Sequence, residues 1–273
     1  MATAPKPTTA KKDGSGSSIF ASLSIVICIV IGVLLWKFVM GDPSNFDEEG
    51  HPLPGNYFAM IYSGGVIVPV LMGMFLMVFV FSIERFFVIN KAAGSGNVEV
   101  FVKKIQGLLA SGNIEAAMAE CDKQKGSVAN VIKSGLKKYR EVEADPNLDI
   151  EQASLAIQKD IEEATSLEMP MLEQNLTIIA TLVSVGTLTG LLGTVTGMIK
   201  SFAALATAGA PDQAALANGI SEALINTATG IATSTVAIIM YNIFTSKIDK
   251  LTYSIDEAGF SIVQTYASTH KNN

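Results

Sequence analysis

The stretch GTLTGLLGTVTG, residues 186–197, lies inside an uncharged run from Gln174 to Ile199 and holds four glycines and four threonines. About 20 apolar residues carry a helix across the hydrocarbon core of a membrane, so the run is long enough to span. Leu, Ile, Val and Phe suit a lipid-facing surface, whereas glycine and threonine do not. Gly186, Gly190, Gly193 and Gly197 are spaced by four, three and four. At about 3.6 residues per turn this places them on one stripe, which Ala204 and Ala208 roughly extend. Small stripes let helix backbones approach closely in lipid, where packing drives association. The glycines therefore predict a helix neighbour on that face.

Working outward, three further stretches reach spanning length: Ile19–Met40, interrupted only by Lys37, then Ile61–Ile83, and Ala223–Ser246. The chain of 273 residues is 49% hydrophobic and 16% charged, with a mean hydropathy of +0.40. Soluble domains carry about 25% charged residues. The fold class expected is all-α integral membrane, with long transmembrane helices. A net charge of −6 argues against nucleic-acid binding, which requires a clustered basic surface. Cys28, Cys121, His51 and His270 stand apart in the sequence, so neither a disulfide framework nor a metal site is expected. No cofactor is implied. The absence of a nucleophile–base pair or phosphate loop argues against an enzyme.

Lys6, Lys11 and Lys12 precede the first span, and the loop after it, residues 41–60, has no Lys or Arg. The segment 84–173 carries eleven Lys and Arg, and Lys247 and Lys250 follow the last span. The positive-inside rule then places both termini and the long polar segment in the cytoplasm. The organisation read from this is a tail over 1–18, a span over 19–40, a periplasmic loop over 41–60 and a span over 61–83. A helical cytoplasmic domain over 84–173 follows, then a span over 174–208, a periplasmic connection over 209–218, a span over 219–246 and a cytoplasmic tail over 247–273. Lys37 and Lys200 fall at outer ends, where long side chains snorkel. A basic start before an apolar run also resembles a signal peptide, but this run is long and no A-x-A site follows, so a retained anchor is expected.

In the cytoplasmic block, Asn113 and Ser127 are expected as helix caps and Asp145-Pro146-Asn147 as a turn. Leu155, Ile161, Leu167 and Leu172 stand among the apolar positions of the following helix. That helix has no obvious breaker but Pro170 before the third span; if continuous, it runs from Ile150 to Ile199, bent or loosened at the proline.

Thr187 and Thr194 are seven apart and share a face. Ala223, Thr227, Gly230, Ser234 and Ala237 form a matching small or hydroxylic stripe on the fourth span. These hydroxyls bond either to their own helix carbonyls or toward a partner helix or water. Glu222 begins the fourth span, and an ionisable group at bilayer depth is a functional-site hypothesis by default. It has a second reading as a carboxylate at a helix N-terminus, capped by Asn218 or Gly219. Glu222, Asn226, Thr227 and Thr229 together suggest a hydrated or proton-conducting lining. No other acid or base lies within the spans, so a complete charge path needs a group from another chain.

GLLGTVTGMIKSF followed by ISEALINTATGIATSTVAIIMYN resembles the MotA/TolQ/ExbB proton-channel family, most closely its ExbB and TolQ members. The resemblance covers roughly residues 62–250, including Glu84-Arg85 and LLASGNIEAAMAEC. It implies a three-span ExbB-like core, with the N-terminal span as an addition. It implies a homopentamer around two helices of an ExbD-like single-span protein, which supplies an intramembrane Asp, and a TonB-like protein driven by the proton motive force in a bacterial inner membrane. By motif, the pore threonines fall on Thr194 and Thr227 and the pore glutamate on Glu222. The chain departs from the pattern where many relatives have Ala-Pro before GLLGTV and Trp at the position of Thr196. TolQ-like and motility-stator roles are alternatives within the family. Outside it stand a structural scaffold, in which the small stripes serve packing alone, and a secondary transporter, which the lack of internal repeats disfavours.

Overall fold

The computed structural model describes residues 14–48, 51–145, 147–207 and 213–270, without the side chains of residues 14–18, 204, 207 and 215. The expected roles of Lys6, Lys11, Lys12, Pro146 and Ala208, and of the side chain of Ala204, lie outside these. Nine α-helices occur among the described residues: α1 (Gly14–Leu34), α2 (Tyr57–Tyr62), α3 (Val68–Ala93), α4 (Val98–Ala110), α5 (Ile114–Gln124), α6 (Gly126–Glu143), α7 (Ile150–Glu173), α8 (Leu176–Thr207) and α9 (Gln213–His270). No strand occurs among them; Phe46 and Pro52 form an isolated bridge. Four helical stretches are long and apolar enough to cross a membrane, and the protein is an all-α, multi-pass integral membrane protein. The chain divides into two compact units. One comprises residues 1–80 and 182–236, the other residues 81–181 and 237–273.

In the first unit, α1 continues through a wider π turn over Leu35–Met40. Leu23, Val26, Val30 and Leu34 are exposed while Ser24 and Cys28 are buried, so most of the apolar surface of this helix is left uncovered. Its contact with α3 is made through glycines. A Cβ on Gly32 would lie 2.7 Å from the nitrogen of Gly73, and one on Gly73 would lie 2.9 Å from Cα of Ile29. Trp36 stacks on Tyr62 with ring centroids 4.7 Å apart. Asn45 ties the loop back to α1's end, its amide donating to the carbonyls of Val39 and Met40 at 2.9 and 3.1 Å. The second span is interrupted near its start, where a turn at Ser63–Gly64 and a 3-10 segment Gly65–Ile67 separate α2 from α3.

The second unit has a conventional apolar core that includes Ile105, Leu109, Ile132, Leu136, Ile157, Ile255 and Ile262, all under 2% exposed. The caps arise where the sequence provides short polar side chains. Asn97 accepts from Glu99 N, Asn113 from Ala116 N and Asp149 from Gln152 N, each satisfying an orphan donor of a first turn. Ser127 is not a cap. It is buried inside α6, which starts at Gly126 after Lys125, a residue at φ +59°. A Cβ on Gly126 would lie 2.5 Å from the Ala92 carbonyl, so the close crossing with α3 sets where that helix begins. In α7, Ala153, Ile157, Ile161 and Leu172 face inward, whereas Leu155 and Leu167 are 64% and 76% exposed. The inward face is offset from the one expected.

The helix expected from Ile150 to Ile199 is divided. α7 passes through Pro170 and ends at Glu173, and α8 begins at Leu176. Proline removes one intrahelical donor, but the break falls four residues later, where another group takes over the free carbonyls. Arg85, 2% exposed, donates from Nη1 to the carbonyls of Met171 and Leu172, each at 3.1 Å. Its Nε donates to Glu84 Oε2 at 2.6 Å, and its Nη2 also pairs with Glu84. The Glu84-Arg85 pair thus caps the C-terminal end of α7.

Candidate functional site

The site lies where α8 packs on α9 in the first unit. All four stripe glycines of α8 face α9. A Cβ on Gly186 would sit 2.9 Å from Ser234 Oγ, and one on Gly190 would sit 3.0 Å from Cα of Gly230. At Gly197 the nearest atoms are the Ala223 nitrogen and Gly219 carbonyl, both 2.9 Å away, and at Gly193 the obstacle is Asn226. Gly230 returns the contact, 2.7 Å from the Gly186 carbonyl. A side chain at these positions would push the backbones apart, so glycine is required on both helices.

This approach brings the hydroxyls together. Thr194 and Thr227 are hydrogen-bonded side chain to side chain. Each also reaches the Ala223 carbonyl, at 3.4 and 3.3 Å, so one backbone oxygen serves both. Thr187 donates to Ser234 Oγ at 2.8 Å. These two rungs step by seven residues along each antiparallel helix.

Glu222 does not sit at a helix N-terminus. Helix α9 begins at Gln213, which puts Asn218 and Gly219 inside the helix and the glutamate in its third turn, so the capping reading fails. Its Oε1 lies 2.5 Å from Nζ of Lys200, with the Glu222 side chain 14% exposed and that of Lys200 57% exposed. The carboxylate also packs against Gly65, whose φ of +76° is one that L side chains rarely adopt. A side chain at Gly65 would be strained and would strike the carboxylate. Lys200 is thus not a snorkelling bystander. Reading the sequence missed it as a partner, although it stands one turn beyond Gly197 on the face that meets α9.

The lining expected from Glu222, Asn226, Thr227 and Thr229 separates into parts. Asn226 is fully buried, and its amide donates to the Gly64 carbonyl at 2.9 Å and the Glu222 carbonyl at 3.0 Å. It fastens α9 to the interruption before α3. Thr229 donates to the Ile225 carbonyl at 2.8 Å. What remains is the Thr194–Thr227 pair and the Glu222–Lys200 pair, both on the α8–α9 contact. No group of three or more metal-ligating side chains occurs among the described residues.

A profile described as the MotA/TolQ/ExbB proton channel family matches residues 123–257. The Tol-Pal system protein TolQ of Pseudomonas aeruginosa is 34% identical over 124 residues, covering 45% of this chain and 54% of that protein. An ExbB homolog of Methanothermobacter thermautotrophicus is 27% identical over 196 residues, 71% of this chain and 65% of that protein. Biopolymer transport protein ExbB of Salmonella typhimurium is 39% identical over 70 residues, 26% and 29% of the two chains. The chain spans about half the length of the TolQ relative it matches. With the glycine-packed α8–α9 pair falling within the matched residues, this chain belongs to the MotA/TolQ/ExbB proton channel family.

Proposed function

We propose that the chain is a proton-conducting motor subunit of a bacterial inner-membrane complex. It assembles as a homopentamer around an ExbD-like single-span protein and drives a TonB-like protein that energises outer-membrane transport. The observation that carries the reading is the Thr194–Thr227 hydroxyl pair held at a glycine contact. Two hydroxyls and a shared carbonyl form a relay that both accepts and donates, as a hopping proton requires. Glu222 and Lys200 supply charge about one and a half turns from it. Lys200 holds the carboxylate, so the group that takes and releases the proton comes from the partner's intramembrane Asp. A charge moved across ~100 mV releases about 2.3 kcal/mol, enough to displace partner helices within the ring.

The test is energised uptake in cells that depend on this chain. Thr227→Val and Glu222→Ala are expected to leave assembly with the partner intact and to abolish uptake. Normal uptake in both overturns the reading in favour of a scaffold. The TolQ relative supports a second reading in which the same step serves a Tol-like system; loss of Tol-dependent function with uptake preserved would favour it. A motility stator is the third member of the same class.

A further inference from the structure

The second unit holds a cavity of about 340 Å³ whose lining includes Glu173, Thr177, Ala180, Tyr241, Thr245 and Asp249. No Lys, Arg or His lines it. Two acidic and three hydroxyl-bearing residues line a space large enough for several waters, each occupying about 30 Å³.

The lining hydroxyls are not equivalent to the rest of the helix. Thr227, Thr229, Thr233, Thr235 and Thr252 of α9 each donate to the carbonyl four residues earlier. Thr245 does not, and its Oγ1 is shielded from solvent without a partner. A shielded polar atom without a protein partner, beside a polar cavity, is where an ordered water is required. Ala180 of α8 and Tyr241 of α9 both line the cavity, so a methyl leaves room for water beside the phenol.

We propose that this cavity is the water-filled mouth through which the proton leaves for the cytoplasm, with Glu173 and Asp249 as its accepting carboxylates. The proposal rests on the proton-conducting reading above. A hydrated proton in the cavity passes to a carboxylate oxygen, forming the neutral acid. The acid then gives the proton to a buffer base in bulk water, and the carboxylate is restored. Thr245 and Tyr241 orient the waters. The cap of Arg85 on Met171 and Leu172 ends α7 beside Glu173 and so fixes the backbone that carries this acid.

The experiment uses the full chain purified with its single-span partner, reconstituted in vesicles with a pH-sensitive dye. Glu173→Gln combined with Asp249→Asn is expected to slow proton flux at least roughly a hundredfold in dilute buffer, the low side of what a positioned proton-transfer group contributes. Concentrated imidazole on the release side is expected to restore it, since a mobile base replaces the missing carboxylates. Thr227→Val is expected to show no such rescue. Thr245→Val, close to isosteric, slows flux by breaking the water chain and covers the case of a double variant that fails to assemble. Flux in the unsubstituted complex with undiminished flux in the double variant or in Thr245→Val overturns the exit mouth alone. Slowing that imidazole does not relieve also overturns it, because the carboxylates then act structurally. No flux in the unsubstituted complex overturns the proton-conducting reading and this one with it.

Discussion

Arg85 donates to the carbonyl of Leu172 at 3.1 Å across 87 residues of sequence. The bond lies in the last turn of α7, which ends at Glu173 before α8 begins at Leu176. A buried guanidinium has five donors in a fixed fork, and here they serve two carbonyls and one carboxylate. Lysine cannot reproduce that fork. Arg85→Lys is expected to destabilise the purified protein by about 3 kcal/mol, since two carbonyls lose a charged donor and Glu84 loses a bidentate partner. Thermal unfolding in detergent measures it, and Glu84→Gln, which keeps an acceptor, is expected to cost less.

The α8–α9 contact predicts opposite outcomes for two glycines in helices. Gly190→Leu places a side chain against Asn226 and Gly230 and is expected to abolish recovery of folded protein. Gly107, inside α4, has nothing within 4 Å of an added Cβ, so Gly107→Ala is expected to stabilise by about 0.5–1 kcal/mol. Detergent-solubilised yield and midpoint of thermal unfolding separate the two.

Lys200 and Glu222 predict a division between stability and activity. The lysine side chain is 57% exposed, and exposed pairs contribute about 0–1 kcal/mol. Lys200→Gln is therefore expected to leave the unfolding midpoint nearly unchanged while lowering proton flux. A large loss of stability with unchanged flux would make the pair a structural clasp.

Burial pushes the Cys121 thiol from 9.0 up to about 12, with Asp122 adding to the shift. The thiolate is the nucleophile, so Cys121 is expected to resist maleimide at neutral pH until the helices α4–α6 open. An unfolded chain would lose this proton above about pH 9, while the folded one keeps it until about pH 12. The folded state then binds more protons, and the contribution of Cys121 to stability falls as pH rises through that window. Cys121→Ala should flatten that part of the pH–stability curve.

Much of this was legible in the sequence, because lipid imposes strong rules. Spanning length and the glycine spacing identified the helices and the face of α8 that meets α9. The resemblance singled out Thr194 and Thr227, but the hydrogen bond between them was not read from the sequence. The failures share one cause: they depend on contacts distant in sequence. The second reading of Glu222, a carboxylate at a helix N-terminus capped by Asn218 or Gly219, fails because α9 already begins at Gln213. The end of α7 is determined by Arg85, not by Pro170. Leu155 and Leu167 have the right chemistry for a core but lie on the face that Ile157 and Ile161 turn outward. Lys200 meets Glu222 only because Gly197 lets the helices close.

The most direct test of the central claim compares proton flux through vesicles carrying the complex with Thr227, Thr227→Ser and Thr227→Val. Serine keeps the hydroxyl that meets Thr194, and valine keeps the shape without it. The account predicts near-normal flux with serine and none with valine, both variants assembling with the partner. Equal flux in the two would show that the Thr194–Thr227 pair packs the helices and carries no proton.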